Sequence, residues 1–477
     1  ADLARECHDR GIDVCMDFVM NHTSDEHEWA RRALAGEGEY MSRYFFYDNP
    51  QIPQEFERTV PQVFPTTAPG NFTWLPQIGH YVMTSFYPYQ WDLNYANPRV
   101  FNEMMYNFLF FANQGMDIIR IDAVPYIWKE LGTSCRNLKQ VHTIVRMMRM
   151  IGEIVCPAVA LLGEVVMEPA KVVPYFGTVE KPECHMLYNV TTMATTWHSV
   201  AVQGTKLLKQ QLDIVNQLPE EYTFLNYLRC HDDIGWGFEE DILRELGMDP
   251  LKHKQFMIEF MEGRYPGSVS TGELYEFNPV TLDARNSGTL ASMCGLEQAL
   301  GEKHFYKIEM AIKRILLLHA MIISYTGIPL LYSGDELGQL NNWNYKKDPA
   351  IAHDSRWLHR GPMDWDAAAK RKDLATVQGV IFSGIRRMIE IRKSSDLFRS
   401  DLKSTPVDTG NKAVFGFHKG SRMMVLANFS DQVQWVDAST FDWFGLPGEM
   451  ADLLQGRPIR TYHNRIMLGP YEFLWLA

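Results

Sequence analysis

The 477-residue chain is 46% hydrophobic and 22% charged, with a formal net charge of −12. That length and balance fit a barrel-sized unit joined to a smaller one, with ample apolar surface for a core. The acidic balance, without Lys/Arg runs, excludes nucleic acid or an anionic membrane as the main partner, and no apolar stretch reaches the roughly 18 residues of a membrane span.

A helix-like Ala1 to Arg10 precedes the first strand-like run, Gly11 to Met20. Further apolar runs follow at Met116 to Asp122, Ala158 to Glu164, Cys184 to Val190, Phe224 to Cys230 and Ile328 to Tyr332. Helical patterns separate them, as at Thr143 to Cys156 and Lys307 to Ile323. This alternation predicts βα units and a parallel sheet. Two connections are too long for βα loops, Asn21 to Asn97 and Asp233 to Gly301, and both are predicted to be insertions. After Ser400 the texture changes to hairpin-spaced strand patterns, Ala413 to Phe417 and Met423 to Ala427. The predicted division is a catalytic unit over 1–400, with insertions 21–97 and 233–301, and an antiparallel β-sandwich domain over 401–477. Barrel-type strands number six, where a closed barrel needs eight. The expectation is that an N-terminal extension completes the barrel and that residues 1–477 alone are not a competent enzyme.

The seven cysteines form no CxxC pair. Free thiols in a reducing compartment, hence a cytoplasmic location, are expected. With no Cys/His cluster at metal spacing and no Gly-rich phosphate loop, neither a metal nor a cofactor is expected.

The predicted strands end in polar residues, where a parallel barrel places its chemistry. Met116, Ile118, Arg120 and Asp122 share one strand face, with Arg120 and Asp122 about 6.6 Å apart along it. A cation so near would keep a carboxylate ionised, as a nucleophile requires; a satisfied ion pair gives the same spacing. Glu164 ends an apolar run, where desolvation would favour its protonated form and suit a proton donor. A solvent-facing Glu opening a helix reads the same way. The run Cys230-His231-Asp232-Asp233 sets two carboxylates side by side, which is costly at a buried strand end unless they are used or neutralised. His22 follows the first strand, and a lone His there is more often structural than catalytic.

As a spaced set, DFVMNHTS (Asp17 to Ser24), DIIRIDAV (Asp117 to Val124), LLGEVV (Leu161 to Val166) and CHDD (Cys230 to Asp233) resemble the four sequence regions of the α-amylase superfamily. The resemblance implies a (β/α)8 TIM barrel with inserted subdomains and a retaining mechanism. It implies Asp122 as nucleophile, Glu164 as general acid/base and Asp232 as stabiliser of the transition state, with Arg120, His22 and His231 binding the sugar. Five further strings, among them QWDLNYANP (Gln90 to Pro98), HDDIGW (His231 to Trp236) and DSRWLHR (Asp354 to Arg360), resemble the amylosucrase branch. That likeness implies sucrose as donor and an α-glucan or maltooligosaccharide as acceptor. Arg356 would close the glucose pocket through an ion pair whose acidic partner has no counterpart in this chain. Asp233 would hold the fructosyl side, Arg58, Arg264 and Arg285 would line the acceptor channel, and Tyr89 would stack near the donor glucose. Calcium binds some amylases near the position of Asn21, but the branch is not known to need it. The string GEVVMEP departs from the branch, which has a small polar residue before the Glu and a His after it. Rival readings are a sucrose hydrolase of the same branch and a catalytically inactive amylase-like binding protein. The intact Asp122, Glu164 and Asp232 favour an enzyme.

Overall fold

The computed structural model describes residues 1–279, 281–439, 450–459 and 461–477. Parts of the predicted C-terminal domain, 440–449 and 460, lie outside the described residues. The chain divides into two compact units, Ala1–Tyr188 and Asn189–Ala477.

In the first unit, a short helix α1 (Asp2–His8) leads into β1 (Cys15–Val19). An excursion follows that contains β2 (His22–Ser24) and β3 (Gln90–Asp92), paired antiparallel with His22 opposite Asp92. Helix α2 (Pro98–Asn113) then returns the chain to β4 (Ile118–Asp122); α3 (Lys139–Val155), β5 (Ala160–Gly163) and β6 (Met186–Tyr188) complete the unit. Strands β1, β4, β5 and β6 pair in that order, all parallel, with Asp17 opposite Arg120 and Arg120 opposite Leu162. Alternation decides what each face carries. Ile119 and Ile121 are fully buried, while Arg120 and Asp122 point to the other side. Phe18 packs edge-on against Phe111 of α2, with centroids 6.0 Å apart. On α3 the buried Val141, Ile144, Val145 and Met148 repeat at helical spacing and form one apolar stripe.

The excursion has its own core. Buried Trp91 meets Tyr44 and Phe46 at nearly right angles, with centroids 5.6 and 5.7 Å away. Phe56, Val60, Met83 and Cys135 make a second cluster.

The second unit opens with α4 (Val190–Val202) and carries the parallel pair β7 (Thr223–Tyr227) and, later, β10 (Ile328–Leu330). Between them lie α5 (Pro250–Glu262), the antiparallel pair β8 (Glu273–Asn278) and β9 (Asp283–Ser287), and α6 (Phe305–Ser324). All six predicted parallel strands are thus found, each shorter than its apolar run. Helix α6 is the apolar helix expected from the sequence, buried continuously from Leu317 to Ser324. Helix α7 (Val377–Ser394) packs beside it.

Past residue 400 the structure is antiparallel, as predicted. Strands β11 (Val414–Lys419), β12 (Met423–Asn428) and β13 (Phe473–Leu476) are neighbours in a six-stranded sheet. A three-stranded sheet contributes Val436 and Ile466 to the same core as Met424, Leu426 and Leu476, which gives the two-layer packing of a sandwich.

Lys419, the last residue of β11, is fully buried, and its Nζ has no hydrogen-bond partner among the described residues. Burial, helped by Arg392, pushes its pKa from the usual 10.5 down to about 7. Between those values the unfolded chain holds a proton that the folded chain does not, so stability rises with pH across this window. Below about pH 7 both states are protonated, and the full cost is present. Lys419→Met should therefore melt higher than the parent at pH 7, the difference shrinking by ~1.4 kcal/mol per unit as pH rises. Equal melting temperatures across the range would show that the ammonium is solvated.

Candidate active site

In the first unit three carboxylates converge on one guanidinium. Arg120 Nη1 lies 2.5 Å from Asp17 Oδ1 and 3.0 Å from Asp122 Oδ1, and Nη2 lies 3.1 Å from Glu164 Oε1. Its Nε donates to the Tyr188 hydroxyl at 3.1 Å. Burial opposes the charge on Arg120, but Glu164, Tyr188, Asp17 and Asp122 together raise its pKa well above the usual guanidinium value. Directly after Asp122, Ala123 takes a left-handed turn with φ +48° and donates its N–H to Glu164 Oε2 at 2.8 Å. Such backbone in a non-glycine residue is costly and gathers at functional sites. Glu164 thus takes contacts from both Arg120 Nη2 and the Ala123 N–H. The residue before it is glycine, and a Cβ there would lie 2.6 Å from Cys184 Sγ and 2.9 Å from Leu187 Cδ2, so that both side chains would have to shift.

His22 sits at the start of β2, buried, with Gln90 Nε2 2.8 Å from its Nε2 and Asn21 Nδ2 3.2 Å from its Nδ1. Burial pushes its pKa down, against the pull of Asp92 and Asp122, so the ring is neutral at neutral pH. Beneath it, buried Lys129 extends its Nζ to Asn21 Oδ1 at 2.7 Å, to the Tyr126 carbonyl, and to Asp92 Oδ2 at 3.4 Å. These are oxygens of the kind that ligate a hard cation, and here they surround an ammonium. Tyr89 is half exposed and stacks on Tyr87, with centroids 5.5 Å apart and planes within 13°. Arg58 is exposed just past the helix Gln51–Glu57, and no described contact joins it to the Arg120 cluster.

In the second unit the CHDD run lies on the loop after β7. His231 Nε2 is 3.1 Å from Asp232 Oδ2, whose Oδ1 is 3.1 Å from Arg360 Nη2 and 3.5 Å from Arg356 Nη1. Asp233 has its own cation, Arg285 on β9, at 3.5 Å. The two adjacent carboxylates are neutralised separately, which answers the cost foreseen from their sequence. An isolated bridge between Ile234 and Asn286 ties this loop to β9.

Two expectations need correction. Arg356 does not lack an acidic partner: its Nε is 2.9 Å from Asp354 Oδ1, its Nη2 is 2.8 Å from Asp354 Oδ2, and its guanidinium lies over Tyr275. The short Asp354-Ser355-Arg356 turn lets the aspartate cap the backbone and grip the side chain together. Nor is a metal-type cluster absent, since Cys230, His231 and Asp232 bring a thiol, an imidazole and a carboxylate within 4.8 Å of one another. Three consecutive residues lack the spacing of a ligand motif, and the arginines beside Asp232 oppose a dication there. Arg264, at the exposed end of α5, is held by Glu262 and Glu259 and has no described contact with the CHDD run.

A family model of the α-amylase catalytic domain matches residues 1–235. Residues 1–235 are an α-amylase-family catalytic domain. Glucosylglycerate phosphorylase of Spirochaeta thermophila is 29% identical over 97% of this chain and 76% of its own. Trehalose synthase of a Pimelobacter species is 28% identical over 82% of this chain and 66% of its own. Among solved structures, sucrose 6F-phosphate phosphorylase from Thermoanaerobacter thermosaccharolyticum superposes with a TM-score of 0.68 at 17% identity, covering 98% of this chain and 85% of that one. An α-amylase from H. orenii gives 0.66 at 16% identity, over 100% and 82%. The fold is thus the α-amylase catalytic type, a (β/α)8-type core followed by a C-terminal antiparallel β-rich domain. No described helix is long and apolar enough to cross a membrane.

Sequence reasoning left Asp17, Tyr188, Lys129 and Arg360 without roles. Asp17 carried a usable signal, since it occupies the strand position that pairs with Arg120. Arg360 carried none, because its contact with Asp232 closes 128 residues of chain.

Proposed function

We propose that the chain is a retaining glucosyl-transfer enzyme, in which Asp122 is the nucleophile, Glu164 the general acid/base and Asp232 the carboxylate that stabilises an oxocarbenium-like transition state. The observation that carries this reading is the single guanidinium of Arg120 shared by Asp122 and Glu164. A shared cation favours the close carboxyl pair of a retaining enzyme, ~5–5.5 Å apart, over the ~6.5–9.5 Å that leaves room for a water. His22, His231 and Arg356 bind the glucosyl unit, Tyr89 stacks near it, and Asp233 holds the leaving group side.

The donor proposed is sucrose and the acceptor an α-1,4-glucan, on the strength of the QWDLNYANP, HDDIGW and DSRWLHR strings. Arg285 supports an acceptor-side role through its pair with Asp233. Arg58 and Arg264 are proposed for the same side on resemblance alone. A second reading, in which phosphate accepts the glucosyl group, is favoured by the 29% identity to a glucosylglycerate phosphorylase across almost the whole chain. The deciding experiment incubates the protein with sucrose, with and without inorganic phosphate, and assays fructose, free glucose, glucose 1-phosphate and glucan. Fructose with glucan supports the first reading. Sugar phosphate supports the second. No fructose under either condition rules out sucrose as donor.

Acceptor contacts act after the glucosyl-enzyme has formed and divide it between sugar and water. Arg285→Ala should therefore lower the ratio of transfer to hydrolysis several-fold while the rate of leaving-group release changes less. An unchanged product ratio would remove Arg285 from the acceptor side.

A further inference from the structure

Two side-chain amides flank the His22 ring, and both turn an NH2 group towards it: Asn21 Nδ2 at Nδ1 and Gln90 Nε2 at Nε2. A neutral imidazole accepts at one nitrogen and donates at the other, so it cannot satisfy both amides as they stand. A protonated ring would meet them worse, with an N–H on each side. One amide has to turn over.

Asn21 is not free to do so. Its Oδ1 receives the Lys129 ammonium at 2.7 Å and its Nδ2 also donates to Asp92 Oδ1 at 3.1 Å. Reversed, it would set an NH2 against the ammonium and a carbonyl against the carboxylate, both inside a region where Lys129 and Asp92 are almost wholly buried. Repulsion between like dipoles and charges is strong where water is excluded. Lys129 is itself anchored by the Tyr126 carbonyl and by Asp92. Asp92 is pinned in turn by the Ser85 N–H at 3.2 Å and by the Ser85 hydroxyl. Gln90 is the looser partner. It is half-buried, and turning it gives up the bond from the Tyr87 N–H to its Oε1, 3.1 Å long.

We propose that Lys129 is a positioning residue: by fixing the Asn21 amide it holds His22 in the Nε2–H tautomer, with Gln90 as the amide that yields. His22 then offers a hydrogen-bond donor on its Nε2 side, which Gln90 Oε1 or a ligand hydroxyl oxygen accepts. That last consequence for a sugar rests on the proposed function above. The tautomer does not.

The test is carried out without any sugar. Protein labelled with 15N in its histidine rings is compared with the His22→Gln variant to assign the His22 signals, and the protonated nitrogen is read from the ring correlations. The parent should show His22 protonated at Nε2 alone. Lys129→Met frees the Asn21 amide, and the Nε2–H population should fall from essentially all to a mixture of the two tautomers; Lys129→Arg should restore it. Because Lys129→Met leaves Asp92 without its cation and could fail to fold, Asn21→Ala is the companion variant. It keeps the Lys129–Asp92 pair, removes the amide alone, and should give the same mixture. A parent in the Nδ1–H form, or an unchanged pure Nε2–H form in folded Lys129→Met or Asn21→Ala, would overturn the proposal. Failure to cleave sucrose would bear on the proposed function and leave this result standing.

Discussion

Asp122→Asn should lose turnover by several powers of ten, because an amide cannot form the glucosyl ester that a retaining mechanism requires. The change is nearly isosteric, and Asp122 keeps an oxygen that can face Arg120 Nη1, 3.0 Å away in the parent, so folding should survive. The companion variant separates the two carboxylates by role. Glu164→Gln should be almost inactive on a glucoside whose leaving group needs a proton. It should still release fluoride from an α-glucosyl fluoride, whose leaving group needs little protonation. Equal loss on both donors would argue against Glu164 as the acid. Parent-like turnover by Asp122→Asn would end its assignment as nucleophile.

Arg120→Met should have the next largest effect, on stability and activity together. The guanidinium is the cation common to Asp17, Asp122 and Glu164, and it is buried. Removing one partner of a buried ion pair costs about 3–5 kcal/mol, since the remaining charge keeps its desolvation cost without its attraction. Asp17 is half exposed and solvent screens its share, so the lower half of that range is expected. The sign with pH follows from the surviving charges. Three carboxylates without their cation repel one another, and protonating any of them relieves the repulsion, so lowering pH from 7 towards 5 should narrow the gap to the parent in melting temperature. Thermal scans across that range, beside a glucoside assay, test both halves. A gap that widens as pH falls would mean the carboxylates were not held together by Arg120.

Elements with a short repeat were legible in the sequence. The alternation around Arg120 and Asp122 gave both the strand and the shared face, and the helix Lys139–Val155 was legible as a helical pattern from Thr143 to Cys156. Contacts that close long loops were not, because no local pattern records which distant residue returns. Arg360 reaches Asp232 across 128 residues and Lys129 reaches Asn21 across 108. Arg356 was misread for the opposite reason. Its partner stands only two residues away, and resemblance to a larger family drew attention to a remote acid instead. The identity of the donor was hidden for a chemical reason. The residues proposed to form a glucosyl-enzyme are the same for every small α-glucoside, so Asp122, Glu164 and Asp232 say nothing about what leaves.

The helix Phe305–Ser324 gives the second unit an internal clock. From Leu317 to Ser324 every residue is buried, and the His319 ring closes onto the Ile315 carbonyl at 2.7 Å. Amides so enclosed exchange with heavy water only when the surrounding packing opens as a whole, whereas exposed loop amides exchange through small local openings. Deuterium uptake within those eight residues therefore counts unfolding events of the entire unit, molecule by molecule, and turns one buried stretch of helix into a gauge of its stability in dilute buffer, without heat or denaturant.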